Sequence, residues 1–292
     1  MPIGVILRAR DRRPGLLVRF RSADLSRLPQ PDSGRGFSFE RPVPAGSGML
    51  GLPILLADPA AADLFALMGA DLISEVERLD ANIAAVDRVL RRISLWRRFL
   101  QRRGGLMTSE EIRGLFGELY VFSLIVSADG VDAALEAWKG PERELHDFHF
   151  ADGLVEVKAW RAESGARAYI SQPDQISVDP IRPLHLAAVR ISVGGMAGRT
   201  LRETVALLEG RMSGLQLQRF EELLADYGYL EAQADEYRDK MRVLGIDVYE
   251  VRDGFPYVDV RSIPGGVVNL RYAIELGALD RFRTSNRHLA QP

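Results

Sequence analysis

The sequence predicts an α/β protein, and three observations carry that class. β-prone runs broken by Pro, Gly and Ser turns open the chain. Two stretches of helical periodicity follow, from about Pro59 to Arg103 and from Thr108 to Ile125. An Asp152-Gly153 turn signal then joins two further β-prone runs, and strand-like and helix-like segments alternate after it. Strands interleaved with helices in one chain are expected to form a mixed sheet with helices packed on it.

Composition excludes several chemistries. The chain has 292 residues, enough for one large or two modest domains with a real core. Hydrophobic residues at 47% and charged residues at 27% are ordinary for a globular protein. With no cysteine there is no disulfide, no thiol catalysis and no cysteine-ligated zinc, and four histidines make a histidine-rich metal site an unfavoured expectation. The first residues lack the apolar core of a signal peptide, and no run approaches roughly 18 apolar residues, so a cytoplasmic protein without membrane partners is expected. A net charge of −2 argues against a wholly basic surface but leaves room for a local basic groove.

Taken in order, residues 1–57 read as a β-rich N-terminal lobe, with strands at Ile3–Arg8, Gly15–Phe20, Phe37–Phe39 and Gly51–Leu56. Residues 58–105 read as a helical connector. Val86, Leu90, Ile93, Trp96 and Leu100 fall on one side of it. Arg88, Arg91, Arg92, Arg98, Arg102 and Arg103 share an arc of roughly 140° on the other, and Arg97 alone lands on the apolar side. This arginine face is either solvated, partly compensated by pairs such as Asp87–Arg91, or a stripe that tracks nucleic-acid phosphates.

Residues 106–200 hold the expected core. Thr108 and Glu111 form a capping-box pattern after the Gly104-Gly105 break. Ile112, Leu115, Phe116, Leu119, Phe122 and Ile125 cover most sides of the helix that follows, and Gly114 and Gly117 permit close approach of another element. Glu118 lies among these apolar residues, either at the stripe's edge and solvated or buried for a reason. A strand over Leu184–Val193 ends this region. Residues 201–292 read as an α+β extension, with helices at Leu201–Leu208 and Leu215–Tyr227 and strands near Gly245–Arg252, Tyr257–Arg261 and Val267–Leu276.

The chemistry concentrates at the Asp152-Gly153 hairpin. Taking those two residues as the loop pairs Ala151 with Leu154, Phe150 with Val155, His149 with Glu156, Phe148 with Val157 and Asp147 with Lys158. Period-two alternation then puts Phe148, Phe150, Val155 and Val157 on a core face, and Asp147, His149, Glu156 and Lys158 together on the other. Asp147 is expected on a diagonal of about 7–8 Å from Glu156, close enough for two carboxylates to converge on one ion. Lysine occurs three times among 38 basic residues, as Lys139, Lys158 and Lys240, so a compact ammonium at this place departs from the chain's arginine habit. Hard oxygen donors without sulfur suit Mg²⁺ or Mn²⁺, which polarise phosphates and activate water. The plainer reading of Asp147 and Lys158 is a cross-strand surface ion pair worth under about 1 kcal/mol.

Glu118 on a helix, then Asp147, then Glu156-Val157-Lys158 on adjacent strands, resembles the PD-(D/E)XK (restriction-endonuclease-like) nuclease superfamily. More closely, the chain resembles a group of PD-(D/E)XK family members linked to bacterial phage-defence and restriction genes. That likeness is carried by Leu95-Trp-Arg, Gly114-Leu-Phe-Gly-Glu118-Leu, Trp138-Lys-Gly-Pro141, His146-Asp-Phe148, Glu156-Val-Lys-Ala159, Ser171 to Gln175, Asp226-Tyr-Gly228, Phe255-Pro256 and Ile263-Pro-Gly-Gly-Val267. It runs from the early strands to about Phe282. His146 stands where the superfamily has its proline, and Gln172 is an alternative to Gln175.

The resemblance implies a restriction-endonuclease-like core. It implies Asp147, Glu156 and the Val157 carbonyl as ligands of Mg²⁺ or Mn²⁺, and Glu118 as a ligand of a second metal or of a metal-bound water. Lys158 would be the catalytic ammonium and Gln175 a group that orients it or a phosphate. The implied activity is metal-dependent hydrolysis of DNA phosphodiesters in a restriction or phage-defence system, with DNA and other subunits of that system as partners. The alternative is a nuclease-fold subunit with little activity of its own, serving structure or DNA recognition. Neither a serine-hydrolase elbow nor a phosphate-loop lysine supports another class, and Trp138 and Trp160, which flank the hairpin, are either packing residues or base-stacking platforms.

Overall fold

The computed structural model describes residues 3–21, 32–34, 36–77, 83–102, 105–178, 181–195 and 197–289. Arg103 and Gly104 lie outside the described residues, as do the side chains of Val86 and Arg102. The chain forms two compact units, residues 1–106 with 228–233, and residues 107–227 with 234–292.

The first unit is a β-sheet followed by two helices. Strands β1 (Ile3–Leu7), β2 (Pro14–Arg21), β3 (Asp32–Gly34), β4 (Phe37–Phe39), β5 (Val43–Pro44) and β6 (Met49–Leu56) pair in the order β1-β2-β6-β4-β3, with β5 also on β6. Helices α1 (Ala62–Glu77) and α2 (Ile83–Arg102) follow, and Phe65 of α1 stacks on Phe37 of β4 at 5.5 Å between ring centroids. Val89, Ile93, Trp96, Phe99 and Leu100 are the buried side of α2. Its arginines are not all a free stripe. Arg92 forms a two-pronged pair with Asp71 of α1, at 2.6 Å from each nitrogen, and the Trp96 indole N–H donates to the same carboxylate at 2.7 Å. Arg97, the residue that broke the sequence pattern, lies over the ring of Phe39 at 5.3 Å, so a guanidinium on the apolar side is used as a cation–π partner.

The second unit is an α/β layer. Its elements are α3 (Ser109–Asp129), α4 (Val131–Ala137), β7 (Phe148–Phe150), β8 (Gly153–Arg161), β9 (Arg167–Ile170), β10 (Leu184–Val193), α5 (Leu201–Glu209), α6 (Gly214–Tyr227), β11 (Met241–Val251), β12 (Tyr272–Glu275) and β13 (Arg283–Thr284). The main sheet has the order β13-β11-β10-β8-β7 and is mixed, because β8 and β10 run parallel while the other pairs are antiparallel. Residues 106–200 and 201–292, separated in the sequence as core and extension, share this sheet. β11 pairs with β10 from Leu184↔Val251 to Val193↔Met241. Without β11, β10 would present a long apolar edge with unpaired backbone groups.

Both faces of the sheet are covered. Gly117 sets α3 against β8, where an added Cβ would fall 2.8 Å from the Cβ of Ala159. On the other face Leu154, Leu186 and Ala188 pack with Ala168 and Ile170 of β9 and Ile274 of β12, which form a separate two-stranded ribbon. The expected strand over Tyr257–Arg261 does not form. Asp259 instead accepts from Arg261 N at 2.9 Å and holds a short turn over Val260–Ser262, a local bond that competes with sheet pairing.

The hairpin differs from the sequence expectation by two residues. Observed pairs are Phe148↔Val155, His149↔Leu154 and Phe150↔Gly153, so the loop is Ala151-Asp152. Gly153 is a strand residue whose job is close approach: a Cβ there would sit 2.8 Å from the Pro183 carbonyl, which itself accepts from Leu154 N at 2.8 Å. A shift of two preserves which residues share a face. It therefore keeps Asp147, Glu156 and Lys158 together and, continued by one residue, moves Asp147 from a diagonal to a position directly opposite Glu156.

Candidate active site

Glu156 and Lys158 project from β8 toward the β9–β12 ribbon, and Asp147 joins them from the residue just before β7. The backbone of Asp147 is fixed first. Its carbonyl accepts from Lys139 N at 2.7 Å and Gly140 N at 3.1 Å, which ties the Lys139-Gly-Pro141 turn to the strand entry. Its Oδ2 then accepts from Val157 N at 2.7 Å. β7 stops at Phe148, opposite Val155, so no strand lies beside this edge of Val157. In an extended strand N–H and C=O of one residue point the same way, so the Val157 carbonyl faces the Asp147 side too.

Glu156 is the least satisfied group here. Its side chain is 1% exposed, and neither oxygen receives a directed hydrogen bond. Lys158 Nζ lies 2.6 Å from Oε1 as a short ion pair, the one charged partner the carboxyl has among the described residues. Burial, and then the charge of Asp147, push the Glu156 carboxyl up to about 8 against the pull of Lys158. Burial also raises Asp147, opposed by Lys158 and by the Val157 N–H. Burial acts to lower Lys158, but Glu156, Asp147 and Glu118 outweigh it and hold the ammonium above its ordinary value.

Lys158 Nζ also donates to Gln175 Oε1 at 3.2 Å. Gln175 ends the turn Pro173–Gln175, and the same oxygen accepts from Ser171 Oγ at 3.0 Å, Ser171 N at 3.2 Å and Gln172 N at 3.3 Å. Of the two glutamines open in the sequence, Gln175 is the one that reaches the lysine. His149 shares the face and His146 lies nearby, with ring centroids 6.4 Å apart and an unpartnered buried Nε2 on each. Burial holds both imidazoles below their ordinary value, with His149 acting on His146 and Arg182 on His149.

Glu118 reaches the cluster from α3, on the far side of β8, and is buried rather than solvated. Both of its oxygens are taken: Trp138 Nε1 donates to Oε2 and the Tyr227 hydroxyl donates to Oε1, each at 2.8 Å. Trp138 and Tyr227 stack at 6.4 Å between centroids. Burial, then Asp147, raise the Glu118 carboxyl well above the usual range. Gly140 makes room for the convergence, since a Cβ there would stand 2.4 Å from Glu118 Oε2 and 3.2 Å from Asp147 Oδ1. Trp138 and Tyr227 had no functional signal of their own in the sequence beyond their place in the resembling motifs. Tyr227 is brought in from α6 by packing.

Among the described residues no three His, Asp or Glu side chains converge as a closed metal-ligand set. The donors do fit an ion that keeps several waters. Asp147 Oδ1 accepts no hydrogen bond among the described residues, and of the Glu156 oxygens only Oε1 is met, by Lys158.

A model of the family described as "Putative PD-(D/E)XK family member" matches residues 6–277. The chain belongs to this family. Searches of the curated proteins and of the solved structures gave no match. The mixed sheet flanked by helices is that of the restriction-endonuclease-like fold, in a superfamily whose members are generally nucleases using divalent metals. Asp147, just before β7, and Glu156-Val157-Lys158 on β8 lie together at one edge of the sheet. No helix among the described residues is long and apolar enough to cross a membrane.

Proposed function

We propose that this chain is a Mg²⁺- or Mn²⁺-dependent endodeoxyribonuclease. The observation that carries the reading is the convergence of two buried carboxyls, Asp147 and Glu156, beside the Lys158 ammonium, with the buried Glu118 carboxyl close by. Lys158 offsets only part of the cost of burying these acids together, since burial and Asp147 still push the Glu156 carboxyl up to about 8, and a divalent cation would offset the rest. Asp147 and Glu156 would hold the ion, with the Val157 carbonyl facing the same edge. When bound, the ion polarises the scissile phosphate and acidifies a water. Lys158, steadied by Gln175, stabilises negative charge developing on the phosphate oxygens. Glu118, pinned by Trp138 and Tyr227, orients water on the α3 side. A contact with DNA phosphates is assigned to the exposed Arg88 of the α2 arginine face, while Arg92 pairs with Asp71. Placement in a bacterial restriction or phage-defence system, with other subunits as partners, rests on the resemblance of the sequence motifs.

The Lys158–Glu156 contact and the lack of a closed ligand set favour one second reading, a nuclease-fold subunit nearly inactive until a partner or DNA separates that pair. Purified chain incubated with supercoiled plasmid and Mn²⁺ or Mg²⁺ separates the two. Nicking lost in Asp147→Ala and Lys158→Ala supports the endonuclease. Wild-type protein that never nicks, with or without bound Mn²⁺, supports the subunit, and protein that binds no metal and nicks nothing sinks the endonuclease reading for the isolated chain.

A further inference from the structure

A second cavity lies in the same unit, on the side of α3 away from Glu118. It has a volume of about 720 Å³ and is bounded by α3, α5, the start of β11 and the Gly198-Arg199 segment. At 100° per residue, Phe116, Tyr120 and Ser123 stand roughly 140–160° around α3 from Glu118, so the two sites use opposite faces of one helix. The volume is within the range of small-molecule sites.

The lining has two parts. Phe116, Leu119 and Leu208 are buried at its base. Arg199, Arg211 and Arg242, all exposed, stand at the rim, and no Asp or Glu lines the cavity. Arg199 and Met241 form an isolated backbone bridge, so Arg199 and Arg242 spring from adjacent chain segments as like charges. Three guanidiniums around a hollow whose lining, among the described residues, holds no acid are a site that an anion stabilises, with Glu203 close enough to Arg199 to offset part of its charge. The hydroxyls of Ser123 and Thr204, which also line it, donate to the Tyr120 carbonyl at 2.6 Å and the Thr200 carbonyl at 3.0 Å. Their oxygens keep lone pairs that a ligand N–H can use.

We propose that this cavity binds a nucleoside phosphate, with the phosphates on Arg199, Arg211 and Arg242 and the base over the apolar floor, its amino group toward Ser123 or Thr204. A fatty acid would supply the apolar body but one charge and no N–H donor; inorganic phosphate would supply the charge alone. The same chemistry is presented by a free nucleotide and by the terminal nucleotide of a 5′-phosphorylated single strand.

The test is calorimetric titration of the full chain in EDTA, which removes metal from the catalytic cluster. The probes are adenosine triphosphate, inorganic phosphate, decanoate and a 5′-phosphorylated oligonucleotide. Adenosine triphosphate or the oligonucleotide is expected to bind at least about tenfold more tightly than phosphate or decanoate. Arg199→Ala and Arg242→Ala are each expected to weaken that binding about tenfold or more, as loss of a charge-assisted contact does. Asp147→Ala should leave it unchanged. Tighter binding of the oligonucleotide, lost in the same arginine variants, names a strand end as the source; tighter binding of the triphosphate names a free nucleotide. No binding of either, equal binding of bare phosphate, or indifference to Arg199 and Arg242 overturns the proposal, and none of these results bears on cleavage at Asp147 and Glu156.

Discussion

The arginine face of α2 and the acidic cluster at the β7–β8 edge are both concentrations of charge, and the fold treats them in opposite ways. On α2, Arg92 has its counter-ion in Asp71, which also takes the Trp96 indole, and Arg97 lies over Phe39. Both of these charges are met inside the unit, one by a carboxylate and one by an aromatic ring, and the result is ordinary helix packing. At the β7–β8 edge, Glu156 is more deeply buried and shares the single ammonium of Lys158 with Asp147. Burial first, then the like charge of close neighbours, raises the Glu156 and Glu118 carboxyls. Density of charge therefore does not mark a site. Several acids buried together around one ammonium do, because folding tolerates that cost where something else will meet it.

The largest expected effect separates the two regions by activity. Asp147→Ala and Lys158→Ala should each lower plasmid nicking on the order of 10³-fold in Mn²⁺, since each removes a metal ligand or the charge facing the phosphate. Arg92→Ala should leave nicking unchanged. Equal losses at both places would erase the contrast.

Next comes pH. Glu156 titrates near 8 in the folded chain, above its unfolded value, so the proton it holds stabilises the metal-free fold below the unfolded pKa. That contribution is lost as pH rises through about 8, which is the direction expected when the folded state binds more protons. Metal must displace this proton, so Mn²⁺ affinity should rise about tenfold per pH unit below that value and level off above it. Glu156→Gln should flatten the stability curve of the metal-free chain over the same window. A Mn²⁺ affinity independent of pH from 6 to about 8 would count against a protonated Glu156.

A smaller effect is expected at Tyr227. Tyr227→Phe removes one of the two donors to Glu118 and should lower nicking roughly tenfold and stability by about 1–3 kcal/mol, read by denaturant titration. In the other region Asp71→Ala should cost about 1–3 kcal/mol by stranding Arg92 and Trp96, with nicking intact. Smallest of all is Arg88→Ala. It should reduce the slope of log affinity for DNA against log salt by about one, and an unchanged slope would return α2 to a solvated face.

The sequence by itself determined the α/β class, the Thr108–Glu111 cap, the span of β10 and the sharing of one face by Asp147, Glu156 and Lys158. These follow from local periodicity and turn chemistry, which a chain carries residue by residue. Face membership even survived a misjudged loop, because a two-residue slip cannot change it. The tertiary structure alone decided the rest. Gly153 reads as a turn glycine until Pro183 is seen pressing on it, and Arg97 reads as an anomaly until Phe39 lies beneath it. Whether Glu118 was solvated or buried depended on Trp138 and on Tyr227, which α6 supplies from far along the chain. Burial and hydrogen-bond satisfaction are properties of contacts between distant segments, and no local pattern encodes them.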